Sequence, residues 1–245
     1  MSGLSGQVAV VTGAGSGIGE AVAQELHSLG ATVVKGVRRP VSDSADRLPT
    51  VLLDVTSEES IGAAARSVVD EYGRVDILVN SAGICIEDDS PFELSSQVWA
   101  DTLSCNLTGT FLCCREFGQL MAGRRSGSIV NISSIAAFIA GHPEKHLAYD
   151  VSKAGVTHMT KVLAAEWADS GVRVNAVAPG RVDTPLLRTI TDGRPGVVDA
   201  WKEQAPMKRL IALHEVTAAV TFFACAQSSG VTGQTLLVDG GTTLR

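Results

Sequence analysis

Thr12-Gly13-Ala14-Gly15-Ser16-Gly17-Ile18-Gly19-Glu20 joins an unbroken apolar run at 7–12 to an amphipathic stretch at 18–29. Glycines at a strand-to-helix junction let the backbone turn sharply, let a pyrophosphate approach the peptide N–H groups, and let the helix pack tightly on the strand. The passage therefore predicts a dinucleotide held at the N-terminus of the first helix. Its spacing, Gly13-x-x-x-Gly17-x-Gly19, is not the ordinary G-x-G-x-x-G, whose third glycine would fall on Ile18 or Glu20. Without its strand-turn-helix setting it would be a glycine-rich turn and no more.

Outward from this turn, apolar runs at 31–36, 50–54, 75–80, 128–133, 172–178 and 234–238 alternate with helical patterns at 57–72, 96–124, 147–169 and 214–227. The runs are apolar throughout instead of at every second residue, as in strands covered on both faces. This rhythm predicts an α/β fold, a doubly wound parallel sheet with helices on both faces and right-handed crossovers. No composition shift, linker or repeat divides the chain, so a single domain, 1–245, is expected. The only long irregular tract expected is 179–206, rich in proline and glycine, which reads as a binding loop or as a surface excursion.

Twenty Lys and Arg against 26 Asp and Glu give a formal charge of −6 in 245 residues, 45% of them apolar. An acidic chain has no surplus cations with which to release counterions from phosphates, so nucleic acid is an unfavoured partner and small-molecule chemistry the favoured one. The N-terminus lacks a secretion signal and no stretch reaches the roughly 18 apolar residues of a membrane span, so a soluble, cytoplasmic protein with no membrane partner is expected. Five cysteines without CxxC or Cys/His ligand spacing signal neither a disulfide framework nor a metal site; reduced, mostly buried thiols are expected.

The end of the second strand should show which cofactor is held, because an acid about 20 residues past the glycines would bind the adenosine ribose 2′-hydroxyl. That stretch reads Lys35-Gly36-Val37-Arg38-Arg39-Pro40, and no acid lies between Glu25 and Asp43. Arg38 suits a 2′-phosphate through a charge-assisted fork, so NADP(H) is favoured modestly over NAD(H). Two arginines at a strand end can equally be solvated. Leu53-Asp54-Val55 and Asn80-Ser81-Ala82-Gly83 end the third and fourth strands, where open α/β sheets bind ligands. Asp54 could accept from the adenine amino group, or cap the next helix; Ala82 and Gly83 offer a backbone that lies flat against the ribose. Asn80 reads as pinning a turn first and as cofactor-adjacent second.

Tyr149 and Lys153 lie four apart at the start of a helical pattern, which places phenol and ammonium on one face. A phenol ionises near 10 in water. A neighbouring ammonium, helped by an oxidised nicotinamide, is expected to lower that value and make Tyr149 a proton donor and acceptor for alcohol and ketone chemistry. Ser134, at the end of the fifth strand, could hold the substrate oxygen, and Asn106 could bind a water linking Lys153 to solvent. Taken singly, Ser134 is a turn cap and Asn106 a polar residue that kinks a helix.

Together these motifs resemble the short-chain dehydrogenase/reductase family over almost the whole chain. Thr12 to Gly19 is similar to the family's TGxxxGxG turn, Asn80-Ser81-Ala82-Gly83 to its NNAG, and Tyr149 to Lys153 to its YxxxK. Asn175-Ala176-Val177-Ala178-Pro179-Gly180, Thr232-Gly233-Gln234 and Asp239-Gly240-Gly241 match as well. The resemblance implies a seven-stranded Rossmann sheet of order 3-2-1-4-5-6-7 and a tetrad of Asn106, Ser134, Tyr149 and Lys153. Tyr149 would exchange the proton, Ser134 would hold the reacting oxygen, and Lys153 would bind the nicotinamide ribose and tune Tyr149. Gly13, Ser16, Gly17, Ile18, Gly19, Arg38, Asp54, Val55, Asn80, Ala82, Gly83, Pro179 and Gly180 would contact the cofactor, with Val182 and Thr184 at the nicotinamide carboxamide. The segment 185–206 would close over substrate, and a homotetramer would form through the helix bearing Tyr149 and the C-terminal segment.

The implied activity is an NAD(P)-dependent oxidoreductase moving a hydride between the nicotinamide and a secondary alcohol or ketone of polyol, sugar or 3-oxoacyl type. The alternative is a catalytically silent NAD(P)-binding sensor or structural protein, whose signature would be loss of Tyr149 or Lys153. The interval from Ser134 to Tyr149, 15 positions, is slightly longer than the family's commonest, which leaves Ser133 as an alternative for the serine role. The extra residues form a polar loop at 141–146, suggesting a hydroxylated or polar substrate or simply a solvated turn.

Overall fold

The computed structural model describes residues 3–40, 48–87, 90–140, 145–191 and 194–244. Asp43, most of the polar loop (141–144) and residues 192–193 of the expected substrate segment lie outside these. In chain order the elements are β1 (Val8–Thr12), α1 (Gly17–Ser28), β2 (Thr32–Val37), β3 (Thr50–Leu52), α2 (Glu58–Tyr72), β4 (Ile77–Asn80), α3 (Ser96–Leu103) and α4 (Gly109–Gly123). There follow β5 (Gly127–Ile132), α5 (Leu147–Trp167), β6 (Val172–Pro179), α6 (Pro185–Thr191), α7 (Val197–Gln204), α8 (Leu213–Ala224) and β7 (Thr235–Val238).

The seven strands form one sheet of order β3-β2-β1-β4-β5-β6-β7, with every described pairing parallel. Every residue of β1 and of β4 is buried, which is why these segments are apolar without alternation. Successive side chains feed opposite faces. Val11, Val79 and Val130 pack under α1 and α8 through Val22, Leu26, Val216, Val220 and Phe223. Val10, Leu78 and Ile129 pack under α2, α4 and α5 through Ile61, Val68, Phe117 and Leu163.

Two helical segments depart from the sequence expectation. The pattern at 96–124 is not one helix: α3 and α4 are separated by a π-helical turn, Ser104–Thr108, centred on the buried Asn106. Gly109 directly follows, and a Cβ there would lie 2.7 Å from the Val55 carbonyl oxygen, so the wider turn brings the chain hard against the end of β3. The tract 179–206 is not irregular throughout; it carries α6 and α7. Pro185 sits at the first helical position, where its missing N–H costs nothing, and the Thr184 hydroxyl before it accepts from the Leu187 N–H at 3.2 Å.

Candidate active site

The strand order reverses between β1 and β4, and the crevice at their carboxyl ends is built by the glycine turn. Gly13 has φ +66°, and a Cβ there would stand 2.7 Å from the Ala82 Cα. The Thr12 hydroxyl accepts from the Ser81 N–H (3.1 Å) and the Ala82 N–H (3.2 Å), splicing the two strand ends together. At Gly19 a Cβ would fall 2.5 Å from the Gly13 carbonyl oxygen, so α1 packs directly on the turn. Ser16, in the N-cap position of α1, makes no side-chain cap among the described residues, leaving first-turn N–H groups facing the crevice.

From this crevice runs a cleft of about 910 Å³, lined by every site residue expected from the sequence except Asn80 and Asn106. Those two stand behind it. Asn80 Nδ2 donates to Asn131 Oδ1 (2.9 Å) and to Cys114 Sγ (3.2 Å), and Asn131 Nδ2 donates to Thr160 Oγ1 (3.0 Å). This buried polar chain ties β4 to β5, α4 and α5, a structural role. Asn106 Oδ1 accepts from the Ile84 N–H and its Nδ2 donates to the Ile84 carbonyl, both at 2.8 Å, and to Ser152 Oγ at 3.0 Å. Its own carbonyl accepts from the Thr110 hydroxyl at 2.7 Å. The side-chain amide thus fixes the backbone that follows β4.

At one end of the cleft, Arg38 is exposed past the end of β2, while Lys35, read beside it in the sequence, points inward and is fully buried, with Nζ 4.0 Å from Glu20 Oε1. Asp54 lies in a turn beyond β3, not within the strand. Hydrogen bonds from the Thr56 hydroxyl (2.7 Å) and N–H (2.9 Å) hold its carboxyl below the usual range, and the Arg38 guanidinium adds to this. The cap of α2 is Ser57, whose hydroxyl accepts from the Ser60 N–H at 3.1 Å.

At the other end α5 presents Tyr149 and Lys153 on one face, with Nζ 5.6 Å from the phenol ring centroid. Lys153 Nζ donates to the Ile132 carbonyl at 2.8 Å, and burial lowers the ammonium to about 8. Burial pushes the Tyr149 phenol up; Cys85 adds to this, and a hydrogen bond with Ser134 opposes it. The chain alone thus shows the opposite of the expected lowering: desolvation, with Cys85 and Asp150, outweighs the Ser134 hydrogen bond. Ser134 also accepts from the Ala136 N–H at 3.2 Å, so it caps a turn and meets the phenol at once. Ser133 is committed elsewhere: its hydroxyl donates to the Lys153 carbonyl (3.1 Å) and shares a 2.7 Å hydrogen bond with Thr157.

Several lining residues were not singled out as site residues by sequence reasoning, His146, Arg181 and Trp201 among them. His146 is buried, its ring edge-on to Tyr149 at 5.4 Å between centroids, with Nδ1 2.7 Å from Asp150 Oδ1. The spacing of four between His146 and Asp150 was the available signal. Arg181, directly after Pro179-Gly180, stacks over the buried Trp201 of α7, and nothing in the local pattern marks that contact. Among the described residues there is no cluster of metal-ligating side chains and no helix long and apolar enough to cross a membrane. A half-buried phenol, a hydroxyl bonded to it and an ammonium stand at the far end of a cleft that begins in a glycine turn, groups whose chemistry suits proton exchange at an oxygen.

Comparison with known proteins agrees with this geometry. Residues 13–243 match the family described as enoyl-(acyl carrier protein) reductase. The chain is 41% identical to D-threitol dehydrogenase of Mycolicibacterium smegmatis, over 99% of this chain and 95% of that protein. It is 40% identical to cis-4-hydroxycyclohexanecarboxylate dehydrogenase of Sinomonas cyclohexanicum, over 97% and 96%. The solved ligand-free aldohexose dehydrogenase of Thermoplasma acidophilum superposes with a TM-score of 0.92 at 32% identity, covering 99% of this chain and 96% of that one. The fold, the ordered motifs and these relatives together show that the chain belongs to the short-chain dehydrogenase/reductase family, the nicotinamide-dependent oxidoreductases that act on CH–OH groups.

Proposed function

We propose that the cleft takes NADP(H) in preference to NAD(H) and interconverts a secondary alcohol and a ketone of polyol, sugar or 3-oxoacyl type, with Tyr149 as acid and base. The observation that carries the reading is the hydrogen bond between Ser134 and a half-buried Tyr149 whose ring lies beside the Lys153 ammonium. The residues fit the cofactor: side chains at Gly13 and Gly19 would strike neighbouring backbone, so the turn keeps a bare floor at the start of α1. Gly13, Ser16, Gly17, Ile18 and Gly19 would hold the pyrophosphate. Arg38 would meet a 2′-phosphate, Asp54 and Val55 the adenine, and Ala82 and Gly83 the ribose. Pro179, Gly180, Val182 and Thr184 would wall the nicotinamide.

When bound, the nicotinamide supplies the acceptor or donor of hydride. In oxidation Tyr149, as the phenolate, would take the substrate O–H proton at Oη and become the neutral phenol while the carbinol C–H bond gives up its electron pair; in reduction the neutral phenol would give its proton to the carbonyl oxygen. Ser134 Oγ donates to that oxygen and stabilises the charge developing on it. Lys153 holds positive charge beside the phenol and, by the position of Gly83 3.5 Å from Nζ at its would-be Cβ, beside the ribose site. Asn106 acts through Ile84, which it fixes. The segment 185–206 would cover the substrate, the whole chain working as one domain, and we place the protein in the cytoplasm as a homotetramer.

Tyr149→Phe is the deciding test. Loss of a positioned acid and base should cut turnover by about 100- to 10,000-fold while cofactor affinity is retained. Near-normal turnover in that variant, in a cofactor-consumption screen of ketones and polyols with both nicotinamides, would remove Tyr149 from the chemistry.

A further inference from the structure

We propose that His146, held by Asp150, is a positioning residue for the Tyr149 phenol, acting through that phenol and not on substrate. The inference rests on the reading of Tyr149 as the acid and base of the cleft. His146 stands in the N-cap position of α5, with φ −150° and ψ 55°. That position ordinarily goes to a short side chain that accepts from first-turn N–H groups. His146 makes no such cap among the described residues. Its backbone carbonyl accepts from the Asp150 N–H at 3.0 Å, and its buried imidazole is turned onto the carboxyl of the same residue. Departures from local rules of this kind concentrate at functional sites.

Two contacts define the role. The imidazole stands edge-on to the Tyr149 ring, 5.4 Å between centroids and 69° between planes, an arrangement in which an aromatic edge meets an aromatic face. Ser134 bonds the hydroxyl and Lys153 Nζ lies 5.6 Å from the ring centroid, so the imidazole is a third fixed neighbour, supplied from the chain before α5. In the second contact, His146 Nδ1 lies 2.7 Å from Asp150 Oδ1; a carboxylate only accepts, so at that separation the proton is on Nδ1. Burial, Cys85 and the Asp150 carboxylate oppose ionisation of the phenol, and the Ser134 hydrogen bond favours it. A proton donor tied to that carboxylate draws its charge away from the phenol. Lys153 in turn feels Cys105 and Cys85. From α3, which packs on α5, Asp101 lines the cleft with its carboxyl bonded to Gln97 at 2.8 Å, and the exposed Lys145 precedes His146. His146 and Asp150 have other partners as well, so the pair is tested by a double substitution, which isolates their mutual effect.

The chain has two tyrosines, so Tyr72→Phe leaves Tyr149 as its only phenol, and an isotope-labelled ring carbon then reports Tyr149 ionisation by NMR in the protein loaded with oxidised cofactor. In that background His146→Phe keeps an aromatic edge and loses the donor, and the ionisation should move up by about half a unit to one unit. With Asp150→Asn already present, His146→Phe should move it by less than half as much. His146→Asn, whose amide can still donate to Asp150 but which has no ring, should leave the ionisation nearly in place. It should lower kcat about 10- to 100-fold on whichever of threitol, sorbitol and 3-hydroxybutyrate the protein oxidises fastest, with cofactor affinity unchanged. An ionisation that does not move in His146→Phe, an equal shift with and without the Asp150 carboxylate, or full kcat in His146→Asn would overturn the proposal. Should His146→Phe fail to fold, the same cycle with His146→Leu decides. A coupled shift in a protein that oxidises none of the three would keep the His146 assignment and sink Tyr149 as acid and base; turnover that Tyr149→Phe abolishes, with no coupled shift, would do the reverse.

Discussion

Lys153 is a cation held almost wholly out of water, its Nζ donating to the Ile132 carbonyl. Burial lowers it from 10.5 to about 8, so between those values the unfolded chain binds a proton that the native one has released. The cost of burying the charge is therefore full below pH 8 and is relieved as pH rises from 8 toward 10.5. Lys153→Met should lose turnover, and its stability relative to the natural protein should be greatest near pH 7 and decline toward pH 10. Melting curves at pH 7, 9 and 10 check this; a difference independent of pH would show that the ammonium is not penalised. Arg38→Asp should weaken NADPH by at least about tenfold, the loss of a charge-assisted pair, and NADH far less. Equal losses in the two dissociation constants would remove Arg38 from the choice of cofactor. At this scale the proposed trio of Ser134, Tyr149 and Lys153 was legible in its motifs. The direction of the Tyr149 shift was not, since desolvation belongs to the folded surroundings, and neither was the contact that engages Ser133 with α5.

The elements that carry these residues differ in how plainly they could be read. The strands were visible as unbroken apolar runs, and α1, α2, α5 and α8 as periodic ones with boundaries within a few residues. The π-helical turn between α3 and α4 was hidden, because one extra residue per turn barely alters an apolar pattern spread over 96–124. α6 and α7 were masked by the prolines and glycines around them, although Pro185 at a first helical position is itself a start signal. The hidden turn is the one that aims Asn106 at Ile84. Asn106→Leu should leave the Ile84 N–H and carbonyl without their partner, costing about 2–5 kcal/mol, and should lower turnover by loosening the wall after β4. Denaturant unfolding measures the first and steady-state rates the second. Unchanged stability would mean that the turn is held by Gly109 and the Thr110 hydroxyl without the amide.

Across the whole molecule, the inner faces of the helices are consumed by the two sides of the sheet, so apolar residues left outside call for another occupant. Phe111 on α4 is 39% exposed, and Leu147, Val151 and Val162 on α5 are comparably so. A second group lies at the far edge of the sheet, where Leu236 and Leu237 of β7 and Leu244 near the C-terminus are exposed. Were these two groups each to meet its own copy about a two-fold axis, a closed assembly of four would result, as proposed above. The protein should therefore sediment at four times the chain mass. Phe111→Glu with Val162→Glu puts two carboxylates on each partner of the helical interface, a charge that Arg115, stacked over residue 111, offsets only in part, and should leave dimers joined through β7. Sedimentation equilibrium distinguishes the outcomes: a persisting tetramer would clear the α4 and α5 surface of that role, and a monomer would show that the β7 edge does not hold two chains together on its own.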